Sequence, residues 1–216
     1  MEKKRILIYG DSNTHGFRIE DGLRFGPEIR WTGVCQHMLG DEYEILNEGL
    51  NGRTTCHDEW GMEFRNGLKY IEPCIRTHLP LDVVCVMLGS NDLKAEFGQT
   101  AEQIAENGAK VLEKAREVVK SKYPESSCKY VLMAPVRITE DVINGPFGWD
   151  FQGMRAVEES LKFAECFRHQ AEAYGFEFFN TAEFAEPGKI DGLHLDVENH
   201  RKLGTAFYEF IKELRY

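Results

Sequence analysis

The sequence predicts an α/β protein built on a parallel sheet, because short apolar segments alternate along the chain with segments of helical periodicity. The apolar segments are continuous, as expected of strands that are buried on both faces by helices. The chain has 216 residues, and we expect it to form one domain over residues 1–216. A chain of this length can bury a core that is large enough to fold without disulfide or metal cross-links.

Five segments are predicted as strands, because each is short, apolar and followed by a turn. They are residues 6–9, 43–46, 83–88, 130–134 and 176–179. Ligands of parallel sheets bind beyond the carboxyl ends of the strands. The turns that follow the first and third strands are therefore expected at the same edge of the sheet.

Three helices are predicted from caps and apolar spacing. Thr100 begins a capping-box pattern, residues 154–174 form a second helical stretch, and Asp196 is expected to cap the last helix. Residues 55–71 have no clear assignment. The aromatic loop 145–151 is expected to form a lid or a pocket wall.

The charge of the chain bears on its partners. Lys and Arg number 26 and Asp and Glu 36, so the formal net charge is −10. Such a surface repels nucleic acid and anionic lipid, and a small neutral substrate is favoured.

The cysteines and the apolar runs bear on location. The six cysteines form no C-x-x-C pair, so we expect reduced thiols and neither a disulfide framework nor a zinc site. The first residues lack the long apolar stretch of a signal peptide, and the run at 83–88 is too short to span a bilayer. We therefore expect a cytoplasmic protein without a membrane partner.

The first chemical motif is Gly-Asp-Ser-Asn-Thr-His-Gly at residues 10–16. Ser12 follows a buried strand and can present its hydroxyl at the sheet edge, where a helix N-terminus would supply backbone N–H groups. The alternative is a plain turn in which Ser12 or Asn13 caps a helix. A phosphate-binding loop is a further alternative, although neither common glycine-rich phosphate pattern is present.

The second motif is Asp191-Gly-Leu-His194. A serine nucleophile needs a general base, and histidine serves near neutral pH. A carboxylate three residues away can lie beside the imidazole and fix its tautomer. Taken alone, this spacing is equally typical of a solvated loop or a helix cap.

Two further motifs offer hydrogen-bond donors. Asn91, in Gly-Ser-Asn-Asp after the third strand, can donate from its amide to an oxyanion, and Gly52 can donate from its backbone N–H. The Asn-Asp pair is also ordinary turn chemistry, and a loop glycine alone indicates little.

The order of the four motifs makes the combination specific. Gly10-Asp11-Ser12, Gly52, Gly89-Ser90-Asn91-Asp92 and Asp191-Gly192-Leu193-His194 resemble the four blocks of the SGNH, or GDSL-type, hydrolase family. The blocks occur in the family's order and cover nearly the whole chain. One departure is Asn13, where the family motif has leucine. G-x-S-x-G is absent because Thr14 stands at its second glycine, which disfavours an ordinary α/β-hydrolase elbow.

The resemblance implies a flavodoxin-like three-layer α/β/α fold. It assigns Ser12 as nucleophile, His194 as general base and Asp191 as the acid that orients it. It assigns the oxyanion hole to the backbone N–H groups of Ser12 and Gly52 and the side chain of Asn91. No metal or organic cofactor is implied.

A closer resemblance, to the arylesterase/acyltransferase branch of the family, is carried by residues 30–34, 49–55, 77–82 and 88–94. It implies hydrolysis of small aryl and alkyl esters, acyl transfer to other small nucleophiles, and a homo-oligomer. By analogy, six residues are expected to line the pocket, although core packing, or for Lys94 an exposed position, explains them as well. These residues are Asn13, Phe17, Ser90, Lys94, Phe151 and Leu193.

Three alternatives remain. One is a carbohydrate acetylesterase of the same family. Another is a non-catalytic flavodoxin-like module that binds a phosphate ligand at the first turn, which needs neither Asn91 nor the Asp191–His194 motif. The third is a degenerate hydrolase kept as an interaction protein, which the intact constellation disfavours.

Overall fold

In the computed structural model, which describes residues 3–151 and 153–214, five strands form one sheet. The strands are β1 (Lys4–Gly10), β2 (Tyr43–Gly49), β3 (Val83–Met87), β4 (Lys129–Ala134) and β5 (Glu177–Asn180). All neighbours are parallel, in the order β2-β1-β3-β4-β5. The parallel sheet and all five strands are thereby confirmed, although β2 continues to Gly49, beyond the predicted end.

Helices connect the strands and cover the sheet. They are α1 (Ser12–His15), α2 (Trp31–Leu39), α3 (Gly67–His78), α4 (Ala101–Lys122), α5 (Asp141–Asn144), α6 (Gly148–Phe151), α7 (Arg155–Ser160), α8 (Phe163–Tyr174) and α9 (Val197–Glu213). Single 3-10 turns lie at Gly40–Glu42, Glu63–Arg65, Asn91–Leu93 and Thr181–Glu183.

The core consists of two apolar layers, one on each face of the sheet. Alternate strand residues point to opposite faces, so Leu7 and Tyr9 pack in the layer of α3, α4 and α8. Ile6 and Ile8 pack in the layer of α2 and α9. The expected three-layer α/β/α fold is confirmed.

The predicted helix caps are both present. The side chain of Thr100 accepts from the backbone of Gln103, whose side chain accepts from the backbone N–H of Thr100 at 3.0 Å. Asp196 accepts from the backbone N–H of Asn199 at 2.9 Å. Local sequence chemistry therefore fixes where α4 and α9 begin.

The single helix predicted over 154–174 is wrong, because the chain forms α7 and α8 there. The break follows Ser160, whose hydroxyl donates to the Val157 carbonyl at 2.7 Å and accepts from the Ile138 N–H at 3.0 Å. Serine bonds of this kind compete with regular helix geometry.

Four helices, α2, α3, α5 and α6, were not predicted, and α6 lies within the predicted loop 145–151. Helix α3 begins at Gly67, after an Asn66 cap, and contains Pro73. Glycine and proline both lower helix propensity, which tertiary packing overrides here. The unassigned residues 55–71 therefore comprise an irregular segment and the start of α3. Among the described residues, no helix is both long and apolar enough to cross a bilayer.

Candidate active site

Ser12 lies at the carboxyl end of β1, where helix α1 begins. The side chain of Asp11 caps this helix by accepting from the backbone N–H of Asn13 at 3.0 Å. Because Asp11 is the cap, the Ser12 hydroxyl is available for another partner. A Cβ on Gly10 would lie 2.1 Å from Thr14 Oγ1, so only glycine permits this turn. Burial raises the pKa of Asp11 to about 6.

Ser12, His194 and Asp191 form a continuous hydrogen-bonded chain. His194 Nε2 lies 2.9 Å from Ser12 Oγ, and His194 Nδ1 lies 2.5 Å from Asp191 Oδ2. All three residues are buried. The arrangement has the geometry in which an imidazole takes a proton from a serine hydroxyl while a carboxylate fixes its tautomer.

The carboxylate of Asp191 is held ionised by its partners. Its Oδ1 accepts from the backbone N–H groups of Leu193 and His194, each at 3.0 Å. Burial alone would raise the pKa of Asp191, but the His194 ring and these N–H groups hold it below its usual range. Asp191 thus stays charged and can stabilise an imidazolium at His194.

Asn13 joins the serine turn to the histidine loop. Its Nδ2 donates to the Leu193 carbonyl at 3.1 Å, and its Oδ1 accepts from the Leu195 N–H at 2.9 Å. Asn13 does not line the cavity described below. Its side chain fixes the two loops relative to each other, and contact of Asn13 with a substrate stays a prediction.

Gly52 and Asn91, the expected oxyanion donors, lie with Ser12 in the wall of one cavity. Gly52 has a φ of +78°, in the left-handed region that favours glycine. One amide hydrogen of Asn91 is committed, because Nδ2 donates to the Arg53 carbonyl at 3.1 Å. The second can point into the cavity.

The sequence motifs gave no role to Arg53, which supports this donor group. The buried guanidinium donates from Nη1 to the Gly10 carbonyl at 2.9 Å and also to the Glu48 carbonyl. Its Cζ atom lies 3.9 Å from the centroid of the Tyr9 ring. Arg53 therefore connects the ends of β1 and β2 to the loop that carries Gly52.

The cavity around Ser12 has a volume of about 760 Å³, in the range of small-molecule sites. Four of the predicted pocket residues line it: Phe17, Lys94, Phe151 and Leu193. Ser90 is not among the lining residues, and its role in the pocket stays a prediction. It is buried, and its hydroxyl has no hydrogen-bond partner in the described part of the chain. The remaining lining residues are Asn51, Glu59, Trp60, Met62, Arg65, Ala95, Glu96, Phe147, Trp149 and Asp150.

Aromatic rings flank the imidazole of His194. The Phe17 ring lies 4.7 Å from it and the Phe147 ring 5.5 Å, measured between centroids. Phe147 belongs to loop 145–151, which was expected to wall the pocket and does so. Two aromatic rings thus cover part of the imidazole beside Ser12.

Lys94 connects two of the cavity walls. Its buried ammonium contacts Glu59 and lies 3.3 Å from Asp150 Oδ2, while Arg65 contacts Glu59 at 2.8 Å. Burial would raise the pKa of Glu59, but Lys94 and Arg65 hold it below its usual range. Lys94 is thus a buried ion-pairing residue of the cavity and not an exposed lysine.

A second groove, of about 950 Å³, runs between β5 and α9. Although larger, it is lined by phenylalanine and ion-pairing side chains and contains neither Ser12 nor His194. The candidate chemistry therefore lies in the smaller cavity.

The family model of the GDSL-like lipase/acylhydrolase family matches residues 8–202. The chain belongs to this family, which confirms the resemblance seen in the motifs and the expected class of enzyme, a carboxylic ester hydrolase.

Solved structures agree with this assignment. An aryl esterase from M. smegmatis is 33% identical, with 98% of this chain and 100% of that chain covered and a TM-score of 0.89. Est24, a carbohydrate acetylesterase from Sinorhizobium meliloti, is 32% identical, with 99% and 100% covered and a TM-score of 0.90.

A more distant relative is an acetylxylan esterase from Xylanibacter ruminicola, 22% identical over 223 residues. The match covers 96% of this chain but 43% of that protein, so the chain spans less than half of the relative's length.

Proposed function

We propose that the protein is a serine esterase that hydrolyses small aryl and alkyl esters with short acyl groups, by way of an acyl-enzyme on Ser12. The observation that carries the proposal is the hydrogen-bonded chain from Ser12 Oγ through His194 to Asp191, which opens on a cavity.

In the first step, His194 Nε2 takes the hydroxyl proton as Ser12 Oγ attacks the ester carbonyl carbon. Ionised Asp191 stabilises the resulting imidazolium. The oxyanion develops toward the N–H groups of Ser12 and Gly52 and the amide of Asn91. Protonated His194 then donates its proton to the departing alcohol, which leaves Ser12 acylated.

In the second step, a water molecule loses a proton to His194 and attacks the acyl carbon. The tetrahedral intermediate collapses, His194 returns the proton to Ser12, and the carboxylic acid leaves. Another small nucleophile, such as an alcohol, can replace water, and acyl transfer is then the outcome. This chemistry needs only the side chains and N–H groups of the chain.

The charges of the cavity favour a neutral ester. Its lining holds three carboxylates, of Glu59, Glu96 and Asp150, against the two cations Lys94 and Arg65. An anionic substrate would meet a net negative wall. The rings of Phe17 and Phe147 beside His194 favour short acyl groups near the nucleophile.

A carbohydrate acetylesterase is the second candidate, and one feature favours it. Trp60 is fully exposed and Trp149 is 73% exposed, and both line the cavity. Flat indole faces at the mouth of a site offer stacking surfaces for a sugar ring. A panel of aryl acetates against acetylated saccharides separates the two candidates by kcat/KM.

Homo-oligomer formation and a cytoplasmic location belong to the same proposal. Trp60, Met62, Phe64 and Trp149 are exposed, and monomers seldom expose large apolar patches. If a second copy of the chain covers these residues, the molar mass measured by light scattering should rise with protein concentration. All six cysteines are free thiols, which suits a reducing compartment.

The deciding experiment is hydrolysis of p-nitrophenyl acetate, butyrate and octanoate by the parent, Ser12→Ala and the control Ser121→Ala, on the exposed side of α4. We expect turnover by the parent and the control, with acetate preferred, and background rates for Ser12→Ala. Equal rates for the parent and Ser12→Ala would overturn the proposal.

A further inference from the structure

A second cluster of reactive side chains lies outside the Ser12 cavity. Cys74 and His78 are four residues apart on α3, so they share one face of the helix. Glu48, near the end of β2, faces them, and its Oε1 lies 2.7 Å from His78 Nε2. One potential ligand atom from each of the three residues lies within 4.8 Å of the other two.

We propose that Glu48, Cys74 and His78 form a binding site for a divalent transition-metal ion of the zinc type. A thiolate, an imidazole and a carboxylate are the ligands that Zn²⁺ takes, and three protein ligands leave a fourth tetrahedral position for water. Hard cations such as Mg²⁺ and Ca²⁺ prefer oxygen ligands and fit this set poorly.

The site is accessible to an ion from solvent. The side chains of Glu48 and His78 are 36% and 21% exposed, and Cys74 is half-buried. The existing Glu48–His78 contact already holds two of the ligands together, and a bound ion would replace the hydrogen that they share. None of the three lines the cavity of Ser12. The site therefore lies outside the cavity of the proposed esterase chemistry.

The position of the ligands has a mechanical consequence. A bound ion would join the end of β2 to the last turn of α3. The main-chain carbonyl of Glu48 also accepts a hydrogen bond from the Arg53 guanidinium. Because an ion that binds only the folded protein stabilises it, the thermal midpoint should rise with the ion concentration.

The test uses the untagged full chain, reduced and freed of metal by a chelator. Calorimetric titration with Zn²⁺ alone should show one equivalent bound. Titration with Co²⁺ should produce a thiolate-to-metal charge-transfer absorption. We expect Cys74→Ser to abolish that absorption and to weaken Zn²⁺ binding at least about tenfold, since loss of even an outer partner costs 10–100-fold.

The matched control is Cys166→Ser, a half-buried cysteine on α8 outside the cluster, which should bind as the parent does. Glu48→Gln is a second variant that keeps the thiol, and it should also weaken binding. Folding of each variant is checked by circular dichroism. Absence of a one-to-one complex in the parent, or equal affinity in the parent, Cys74→Ser and Glu48→Gln, would overturn the site.

Discussion

Asn91 and Arg53 are joined by a hydrogen bond from the side-chain amide of Asn91 to the main-chain carbonyl of Arg53, 3.1 Å long. The bond aligns the amide of Asn91 with the loop that carries Gly52. The side chain of Arg53 in turn anchors that loop to the Gly10 carbonyl, two residues before Ser12. One arginine thus sets the relative positions of all three proposed oxyanion donors.

Asn91→Ala should lower kcat by about 10²–10³-fold with little change in KM, because the oxyanion donor acts in the transition state. Steady-state kinetics with p-nitrophenyl acetate measures this. An activity within a few-fold of the parent would show that Asn91 is not an oxyanion donor.

Arg53→Lys should lower kcat because a lysine cannot bond two carbonyls while lying flat on the Tyr9 ring. If Arg53 acts through the oxyanion donors, its effect should shrink when Asn91 is already alanine. The double-mutant cycle on kcat measures this coupling. Strictly additive losses would indicate that Arg53 serves stability alone, and thermal denaturation of each variant provides the comparison.

Asn13→Asp should lower both kcat and stability. An aspartate at the first turn of a helix is normally favourable, but here the carboxylate would face the Leu193 carbonyl, which now accepts a hydrogen bond from Asn13 Nδ2. The histidine loop would move away from Ser12. Kinetics and thermal denaturation check this, and an unchanged or raised melting temperature with full activity would contradict it.

Lys94→Met should raise KM and destabilise the fold by about 2 kcal/mol, because the half-buried carboxylates of Glu59 and Asp150 lose their shared cation and Glu59 keeps only Arg65. The walls that they carry would separate. Urea unfolding measures the stability change. Lys110→Met, which removes an exposed helical ion pair, is the control and should cost less than about 1 kcal/mol.

The buried His200 should lower the free energy of unfolding of the protein in acid. It is fully buried, and burial lowers its pKa to about 4 from the usual histidine value of about 6.5. The unfolded chain therefore binds a proton between these values that the folded protein does not. The stabilisation is complete above pH 6.5 and is lost as the pH falls toward 4.

His200 Nδ1 now accepts a hydrogen bond from the backbone N–H of Trp31 at 3.4 Å. In His200→Asn the side-chain oxygen can accept this hydrogen bond, and the side chain cannot titrate. Urea unfolding at pH 7, 6, 5 and 4 should show a shallower decline for this variant than for the parent. Parallel curves would exclude His200 as a source of the acid sensitivity.

The residues of the proposed site could be chosen from the sequence because each motif is local. The pairing of Asp191 with His194 follows from a spacing of three residues, and the site edge follows from strands that end at Gly10 and Met87. The parallel sheet follows likewise from continuous apolar runs.

The features that the sequence did not predict depend on contacts between distant residues, which local patterns do not reveal. Asn13 has the sequence context of a pocket residue, yet its partners are about 180 positions away. From the sequence, Lys94 could be a surface or a pocket-edge residue, and its ion pairs with Glu59 and Asp150 are visible only in the structure. Helix α3 contains a proline and forms because its apolar face packs on the sheet.

The contact between Ser12 and His194 spans 182 positions of the chain. During synthesis, the nucleophile leaves the ribosome 182 residues before its base and stays without it until that stretch has followed. Esterase activity in a refolding or translation time course would thus report the late docking of the loop before α9, and not the earlier collapse of the sheet.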